Sequence, residues 1–209
     1  MKRIKLFLML ALTIIFCCAC GSETNGATKE ADLAEVVTVV GEYSYENSNG
    51  YTYHALIVKN NSNKAVNVDA NIIAKDASGN ALGANTSSAD TVASGAEALL
   101  YTMFPDVKGA VAFEYTLTIV EEKMFEAVTQ DLSVEQSING EKVIVMCTNN
   151  GKETAENIVA QAIFLKDGKF VDYDINYFTE DIKAGATIAG ELTSRKTFDE
   201  AKVYISGWR

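Results

Sequence analysis

The sequence is poor in several residue types on which whole classes of protein depend. In 209 residues it has one proline and one histidine, and 28 aspartates and glutamates outnumber 18 lysines and arginines. One proline excludes proline-rich and collagen-like repeats, and one histidine excludes any site that needs two. The net charge of -10 offers no basic face to phosphates, so we expect no nucleic-acid partner. The 48% hydrophobic content is sufficient for a packed core.

Charge is absent from a stretch near the amino terminus. Residues 1–5 carry Lys2, Arg3 and Lys5, and no charged residue occurs in the 14 positions from Leu6 to Ala19. This run is shorter than the roughly 20 residues of a membrane-spanning helix, but its length is typical of a signal-peptide core. We therefore predict that residues 1–19 form a signal peptide that is removed.

Three of the four cysteines cluster at the end of this uncharged run. Only Cys147 lies in the globular part of the mature chain, so that part has no internal disulfide to form. The junction Ala19-Cys20-Gly21-Ser22 resembles the bacterial lipobox, in which cleavage occurs before a cysteine that carries diacylglycerol. Cys20 is the better acceptor because small Ala19 precedes it, whereas bulky Phe16 precedes Cys17. An ordinary cleaved signal peptide is the alternative interpretation.

The resemblance implies a lipoprotein held at the extracytoplasmic face of a bacterial cell membrane by diacylglycerol and palmitate-type acyl chains on Cys20. Removal of residues 1–19 takes away three basic residues and no acid, which changes the net charge to -13. Anionic headgroups would repel such a chain, so the lipid must hold it at the membrane. Residues 20–33 are mostly small and polar, and we expect a flexible linker that lets the folded part stand away from the bilayer.

The remaining sequence contains an internal repeat. Leu56–Asn61 aligns with Val145–Asn150, and Ser94-Gly95-Ala96 aligns with Ala184-Gly185-Ala186. The offset between matched segments is 89 or 90 residues throughout, which is the size of a domain and too long for a solenoid repeat. We therefore predict two copies of one domain, at residues 34–120 and 124–209.

Each copy has the pattern of β-strands. Short runs rich in aromatic and β-branched residues alternate with turns, as in Tyr51–Lys59 and Thr187–Thr193. Asn150-Gly151 and Asp167-Gly168 are typical of tight hairpin turns. The segment Glu121–Gln130 is the most compatible with a helix. The fold class predicted is all-β, with two tandem immunoglobulin-like antiparallel β-sandwiches after the signal peptide and linker.

A family resemblance supports this fold in the second copy. The segment Ala162–Lys169, which follows Asn149-Asn150-Gly151 and precedes Ala184-Gly185-Ala186, resembles the FxLYD-type domain. That family is a small immunoglobulin-like sandwich of bacterial surface lipoproteins. The resemblance extends from about Leu132 to the carboxyl terminus. It implies an extracytoplasmic module with no established catalytic residues.

The residues best suited to catalysis or metal binding also have plain structural interpretations. His54 and Cys147 occupy inward-facing strand positions, and no Gly-x-Ser-x-Gly elbow accompanies the histidine. Asp172, Asp174 and Asn176 place oxygen ligands at alternate positions, as a calcium loop does, but they also fit the wet face of a strand. We expect no catalytic residues, no metal and no cofactor.

A tyrosine cluster is the candidate binding site. Tyr43, Tyr45, Tyr51 and Tyr53 flank the loop 46–50, and a hairpin would pair them across two strands. Such a face could stabilise the hairpin or bind a glycan or an envelope protein, since tyrosine combines a rigid ring with a hydroxyl group. The second copy has 136–140 as the corresponding loop and no such cluster.

These observations favour a membrane-anchored, non-catalytic binding module for an envelope protein or a glycan. The alternatives are a secreted hydrolase and an accessory solute-binding lipoprotein. A deep cleft with convergent acids would favour the hydrolase.

Overall fold

A computed structural model describes residues 36–209. The predicted signal peptide 1–19, Cys20, the linker 20–33 and the first two residues of the first predicted domain lie outside the described residues. The strands are β1 (Val37–Glu46), β2 (Thr52–Asn60), β3 (Val66–Lys75), β4 (Ala81–Val92), β5 (Glu97–Phe104), β6 (Ala112–Glu121), β7 (Leu132–Asn139), β8 (Lys142–Asn149), β9 (Glu156–Lys166), β10 (Lys169–Tyr177), β11 (Thr187–Thr193) and β12 (Glu200–Trp208). A 3₁₀ helix, Thr129–Asp131, precedes β7.

The strands pair into 3-stranded antiparallel sheets, and the second half of the chain repeats the order of the first. Strands β1–β6, the first half, form sheets β1-β2-β5 and β4-β3-β6. Strands β7–β12, the second half, form sheets β7-β8-β11 and β10-β9-β12. The all-β prediction is confirmed, and the sheets are consistent with β-sandwich packing. The predicted junction near residues 120–124 overlaps the end of β6 and the start of the segment that leads to β7.

Several predicted strand bounds lie close to those of the structure, but two predicted turns are wrong. Asp167 and Gly168 have φ of 49° and 72°, as a tight hairpin requires. Asn150-Gly151 does not form a hairpin, because the chain crosses there from β8 to β9 in another sheet. The predicted loop 136–140 is also wrong, since β7 continues to Asn139 and only Gly140-Glu141 turn.

The core consists of three apolar clusters. One lies between the two sheets of the first half and includes Leu56 and Ile72. A second joins the two sheets of the second half and includes Phe164. The third joins β2 of the first half to β9 of the second, through residues that include Ile57 and Ile163. Strands β2 and β9 are therefore buried on both faces, and the described residues belong to one compact unit.

A buried asparagine closes the same turn in each half. The Asn60 side-chain amide donates hydrogen bonds to the carbonyl oxygens of Lys64 at 2.7 Å and Val92 at 2.9 Å. The Asn149 amide donates to the carbonyls of Glu153 and Ile182, both at 2.7 Å. These partners are related by the offset found in the sequence.

Polar side chains join the sheets along one edge of each half. In the first half, Asn85 of β4 donates to the Met103 carbonyl of β5 at 2.8 Å. In the second half, the Asp174 carboxylate of β10 accepts the Thr193 N–H of β11 at 2.7 Å. Asn85 and Asp174 pair with equivalent positions of β3 and β9, so the internal repeat extends to individual hydrogen bonds.

Candidate functional site

A bulge in β1 turns the predicted tyrosines toward the second half of the chain. Before it, Val39 pairs with Val58 and packs against the first core. The register shifts between Val39 and Gly41, after which Tyr43 and Tyr45 pack in the third cluster. Bulges commonly re-aim side chains in this way. The predicted hairpin is confirmed, and Tyr45 pairs with Tyr53 across it, with ring centroids 4.6 Å apart.

These rings belong to a larger tyrosine layer between sheets β1-β2-β5 and β10-β9-β12. Its members are Tyr43, Tyr45, Tyr53, Tyr101, Tyr173 and Tyr204. Tyr101 and Tyr173 stack across the two halves with centroids 3.7 Å apart and an interplanar angle of 8°. Tyr45 meets Phe170 edge to face at 4.9 Å. Each such aromatic pair contributes about 0.5–1.5 kcal/mol beyond its area burial.

Tyr43 and Tyr173 of the layer have polar partners for their hydroxyl groups. Tyr173 donates to the Gln161 side-chain oxygen at 2.8 Å, and the Lys202 ammonium donates to the Tyr43 hydroxyl at 2.9 Å. The ammonium also lies 5.4 Å from the centroid of the Tyr43 ring, within the range of a cation–π interaction. Burial raises the pKa of Tyr101 and of Tyr173, so both phenols stay neutral at physiological pH.

A groove opens beside the tyrosine layer. It has a volume of about 370 Å³ and is lined by both halves of the chain, including Tyr101, Tyr173 and Tyr204. Gln161 and Trp208 also line it. Aromatic faces with a few hydrogen-bonding groups are the usual lining of a small-molecule site, and the volume falls in the usual range of about 300–1,000 Å³.

The predicted tyrosines have different positions relative to this groove. Tyr43, Tyr45 and Tyr53 are half-buried in the layer, where their ring contacts are with the chain itself. Tyr51 precedes β2, and its N–H donates to the Asn47 side chain at 3.0 Å. Ligand binding by these four residues stays a prediction.

Sequence reasoning did not find the groove tyrosines, because Tyr101, Tyr173 and Tyr204 lie on β5, β10 and β12, far apart in the chain. A usable signal existed in the continuous apolar runs Ala55–Val58 and Ala162–Leu165. Such runs indicate strands buried on both faces, and hence a further layer between the two halves.

His54 is buried in the first core. Its Nε2 lies 2.9 Å from the Glu42 carboxylate, and its ring packs 4.2 Å from the Phe113 ring. Its Nδ1 has no hydrogen-bond partner among the described residues. Burial lowers the pKa of His54, against the opposing effect of Glu42. A neutral ring that donates from Nε2 fits these contacts, as the structural interpretation expects.

Cys147 is fully buried, and burial raises the pKa of its thiol to about 11. Its interpretation as a small buried hydrophobic residue is confirmed.

The candidate calcium residues are engaged in backbone hydrogen bonds. Asp172 accepts the Arg195 N–H at 2.6 Å, Asp174 accepts that of Thr193, and Asn176 donates to the Glu191 carbonyl at 2.9 Å. Within residues 36–209, no three His, Cys, Asp or Glu side chains are grouped as metal ligands would be. The alternate polar residues of β10 thus hold β10 to β11 and to the turn that follows β11.

No helix within residues 36–209 has the length and hydropathy to cross a bilayer.

Comparisons with known proteins yield no family assignment. No protein-family profile and no curated protein matches the chain. Among solved structures, a red sea bream transglutaminase is 12% identical, with a TM-score of 0.30, over 81% of this chain and 28% of that one. A calcium-binding mutant of β-glucuronidase 2 from Bacteroides uniformis is 15% identical, with a TM-score of 0.22, over 74% of this chain and 23% of that one. The chain thus spans about a quarter of the length of these structures.

Proposed function

We propose that this protein is a lipid-anchored, extracytoplasmic bacterial lipoprotein that acts as a non-catalytic binding module for an envelope glycan or protein. The observation that supports this localisation is the Ala19-Cys20 junction at the end of 14 uncharged residues. The fold in this proposal is a pair of tandem immunoglobulin-like sandwiches. The repeated strand order of the two halves supports it.

The groove beside the tyrosine layer supports the binding role. Sugar rings present apolar C–H faces that stack on aromatic rings, and Tyr101, Tyr173 and Tyr204 line the groove. Polar side chains at the same surface, such as Gln161 and Asp90, could hydrogen-bond to sugar hydroxyl groups. We therefore place the glycan here and not at the four tyrosines that flank the hairpin loop.

Anchoring is tested by the variant Cys20→Ser. The serine cannot form the thioether to diacylglycerol, so the protein should leave the membrane fraction or accumulate as uncleaved precursor. Cys17→Ser and Cys18→Ser are matched controls and should stay processed and membrane-bound. If Cys20→Ser fractionates like the wild type, the lipid-anchor proposal fails.

Binding is tested by tryptophan fluorescence, because Trp208 is the single tryptophan and lines the groove. Titration with soluble peptidoglycan fragments should change its emission in a saturable manner. Tyr177 also lines the groove and is 67% exposed, so Tyr177→Ser should weaken binding about tenfold, or ~1.4 kcal/mol, without unfolding the protein.

Tyr51→Ser, on the hairpin, is the control. If it weakens binding and Tyr177→Ser does not, the site lies on the hairpin. Cleavage of the fragments would favour the hydrolase alternative, and no saturable change would contradict glycan binding at the groove.

A further inference from the structure

The segment between β6 and β7 carries an exposed apolar tip. Met124 is 84% exposed and Phe125 is 46% exposed, and the exposed Lys123 precedes them. The Phe125 ring lies 5.9 Å from the Trp208 ring, which backs it on one side. We call Lys123-Met124-Phe125 the linker tip. Contiguous exposed apolar side chains can mark a site of contact with a protein or a membrane.

Hydrogen bonds hold the linker tip in its outward conformation. The Glu122 carboxylate accepts the N–H groups of Met124 at 2.6 Å and Phe125 at 3.1 Å. It also accepts the Asn67 side-chain amide at 2.7 Å, which ties the tip to β3. The exposure of Met124 therefore follows from a fixed local structure.

The carboxylates beside the tip are already engaged. Glu121 pairs with Lys64 at 2.7 Å, and Glu126 accepts from the Arg209 guanidinium at 3.2 Å. The bonds from Asn67 and from backbone N–H groups fix the Glu122 carboxylate but do not cancel its negative charge. The tip therefore presents an apolar surface with one lysine, Lys123, beside it, on a chain whose mature net charge is -13.

The tip lies at the end of the fold where the described chain begins. The Val36 carbonyl accepts the N–H of Asn61 at 2.8 Å, in the turn after β2. At the other side of this turn, the Ala65 carbonyl accepts the N–H of Glu122 at 2.9 Å. Val36 follows Cys20 by only 16 positions, a reach of at most about 55 Å when fully extended. A lipid on Cys20 would thus hold this end within about 55 Å of the membrane, close enough to allow contact.

We propose that the linker tip contacts the bilayer surface in which Cys20 is anchored, an inference that rests on the proposed lipidation. Met124 and Phe125 would enter the boundary between headgroups and acyl chains, about 5–10 Å deep, and Lys123 would meet lipid phosphates. Anionic headgroups repel the remaining acidic surface of the protein. This repulsion favours an orientation in which the linker tip faces the bilayer. The linker then acts as a tether and does not hold the fold at a fixed distance.

The test uses the full lipidated protein in vesicles of phosphatidylethanolamine and phosphatidylglycerol. An environment-sensitive dye is attached at Met124→Cys, and in a matched control at Ala77→Cys in the exposed turn after β3, at the opposite end. Cys147 is buried and should not react. The dye at position 124 should shift to the blue and be quenched by spin-labelled lipid, whereas the dye at position 77 should behave as in water. Adding Lys123→Glu should reduce the shift at 124.

Equal, water-like emission at both positions would overturn the inference. Protection of position 124 in native membranes but not in pure vesicles would also overturn it, in favour of a protein partner. The mass of the amino-terminal peptide from the same sample separates the two proposals. A lipidated Cys20 with a water-exposed dye contradicts this inference alone, and an unmodified amino terminus contradicts the proposed lipidation.

Discussion

At the scale of single residues, Asn60 and Asn149 link the sequence repeat to stability. Both are fully buried, and each amide donates to two or more carbonyls of the segments that it joins. A buried carbonyl that loses its donor retains the full cost of its desolvation. These residues therefore have a structural role that their polar character alone does not reveal.

We predict that Asn60→Ala and Asn149→Ala each lower the free energy of unfolding by about 1–3 kcal/mol. Asn61→Ala is the matched control, because Asn61 is exposed and its loss should cost much less. Urea denaturation measures the difference. Equal effects at positions 60 and 61 would show that the buried amide does not stabilise the turn.

His54 gives the stability a pH dependence. Burial lowers the pKa of His54 below its model-peptide value of 6.5, so the folded state favours the neutral ring. The unfolded chain binds more protons below that pH, and stability should fall as pH decreases through about 6.5. The second proton would have to enter on Nδ1, which has no acceptor among the described residues.

The variant His54→Gln keeps an N–H donor for Glu42 but does not titrate. Between pH 7 and pH 5, the wild type should lose more stability than this variant in parallel urea titrations. Identical pH profiles would show that His54 does not control the response, and a wild type that gains stability at pH 5 would mean that the charged ring is favoured.

At the scale of elements, polar side chains on β4 and β10 replace strand pairing at the corner of each half. Asn85 and Ser87 donate to carbonyls of β5, and Asp174 and Asn176 make the equivalent bonds to β11. On β10 the sequence reveals that these residues alternate with apolar or aromatic ones, whereas Asn85 and Ser87 belong to a continuous polar run on β4. The sequence does not reveal that the opposite sheet lies within reach of them, since that depends on the corner geometry.

For this corner we predict that Asp174→Ala destabilises the protein by about 1 kcal/mol, because the Thr193 N–H loses its acceptor. Asp174→Asn keeps one acceptor oxygen and should cost less. Thermal unfolding with and without calcium is the measurement. A rise in Tm with calcium that Asp174→Ala removes would support a metal site in place of this structural role.

The positions of the strands could be predicted from the sequence more reliably than the pairing of each strand with its neighbours in a sheet. The predicted strand Thr187–Thr193 matches β11, and Asp167-Gly168 has the backbone that its residue types favour. Asn150-Gly151 has the same turn composition but joins strands of different sheets, because tertiary packing decided the path. The tyrosine layer depends on the contact between halves, which pairs Tyr101 with Tyr173 across 72 positions of sequence.

At the scale of the whole molecule, the third apolar cluster couples the two halves. Ile57 and Ile163 are buried there, and the stacked rings of Tyr101 and Tyr173 extend the contact. An apolar interface of this kind favours joint unfolding over independent domain motion. The groove beside the tyrosine layer then keeps a fixed shape, since both of its walls belong to the same packed unit.

Calorimetry of the wild type should therefore show one unfolding transition. Tyr101→Ala removes the stack with Tyr173 and should split or broaden this transition, whereas Tyr51→Ala, outside the layer, should not. Two separate transitions in the wild type would mean that the halves fold independently and that the tyrosine layer contributes little coupling.

The central claim is that the protein is anchored at the membrane by a lipid on Cys20. Mass spectrometry of the mature amino terminus tests this claim most directly. If the chain is anchored as proposed, the peptide begins at Cys20 and carries the mass of diacylglycerol on the Cys20 sulfur. An unmodified peptide that begins after Ala19 would contradict the lipoprotein assignment and leave secretion alone.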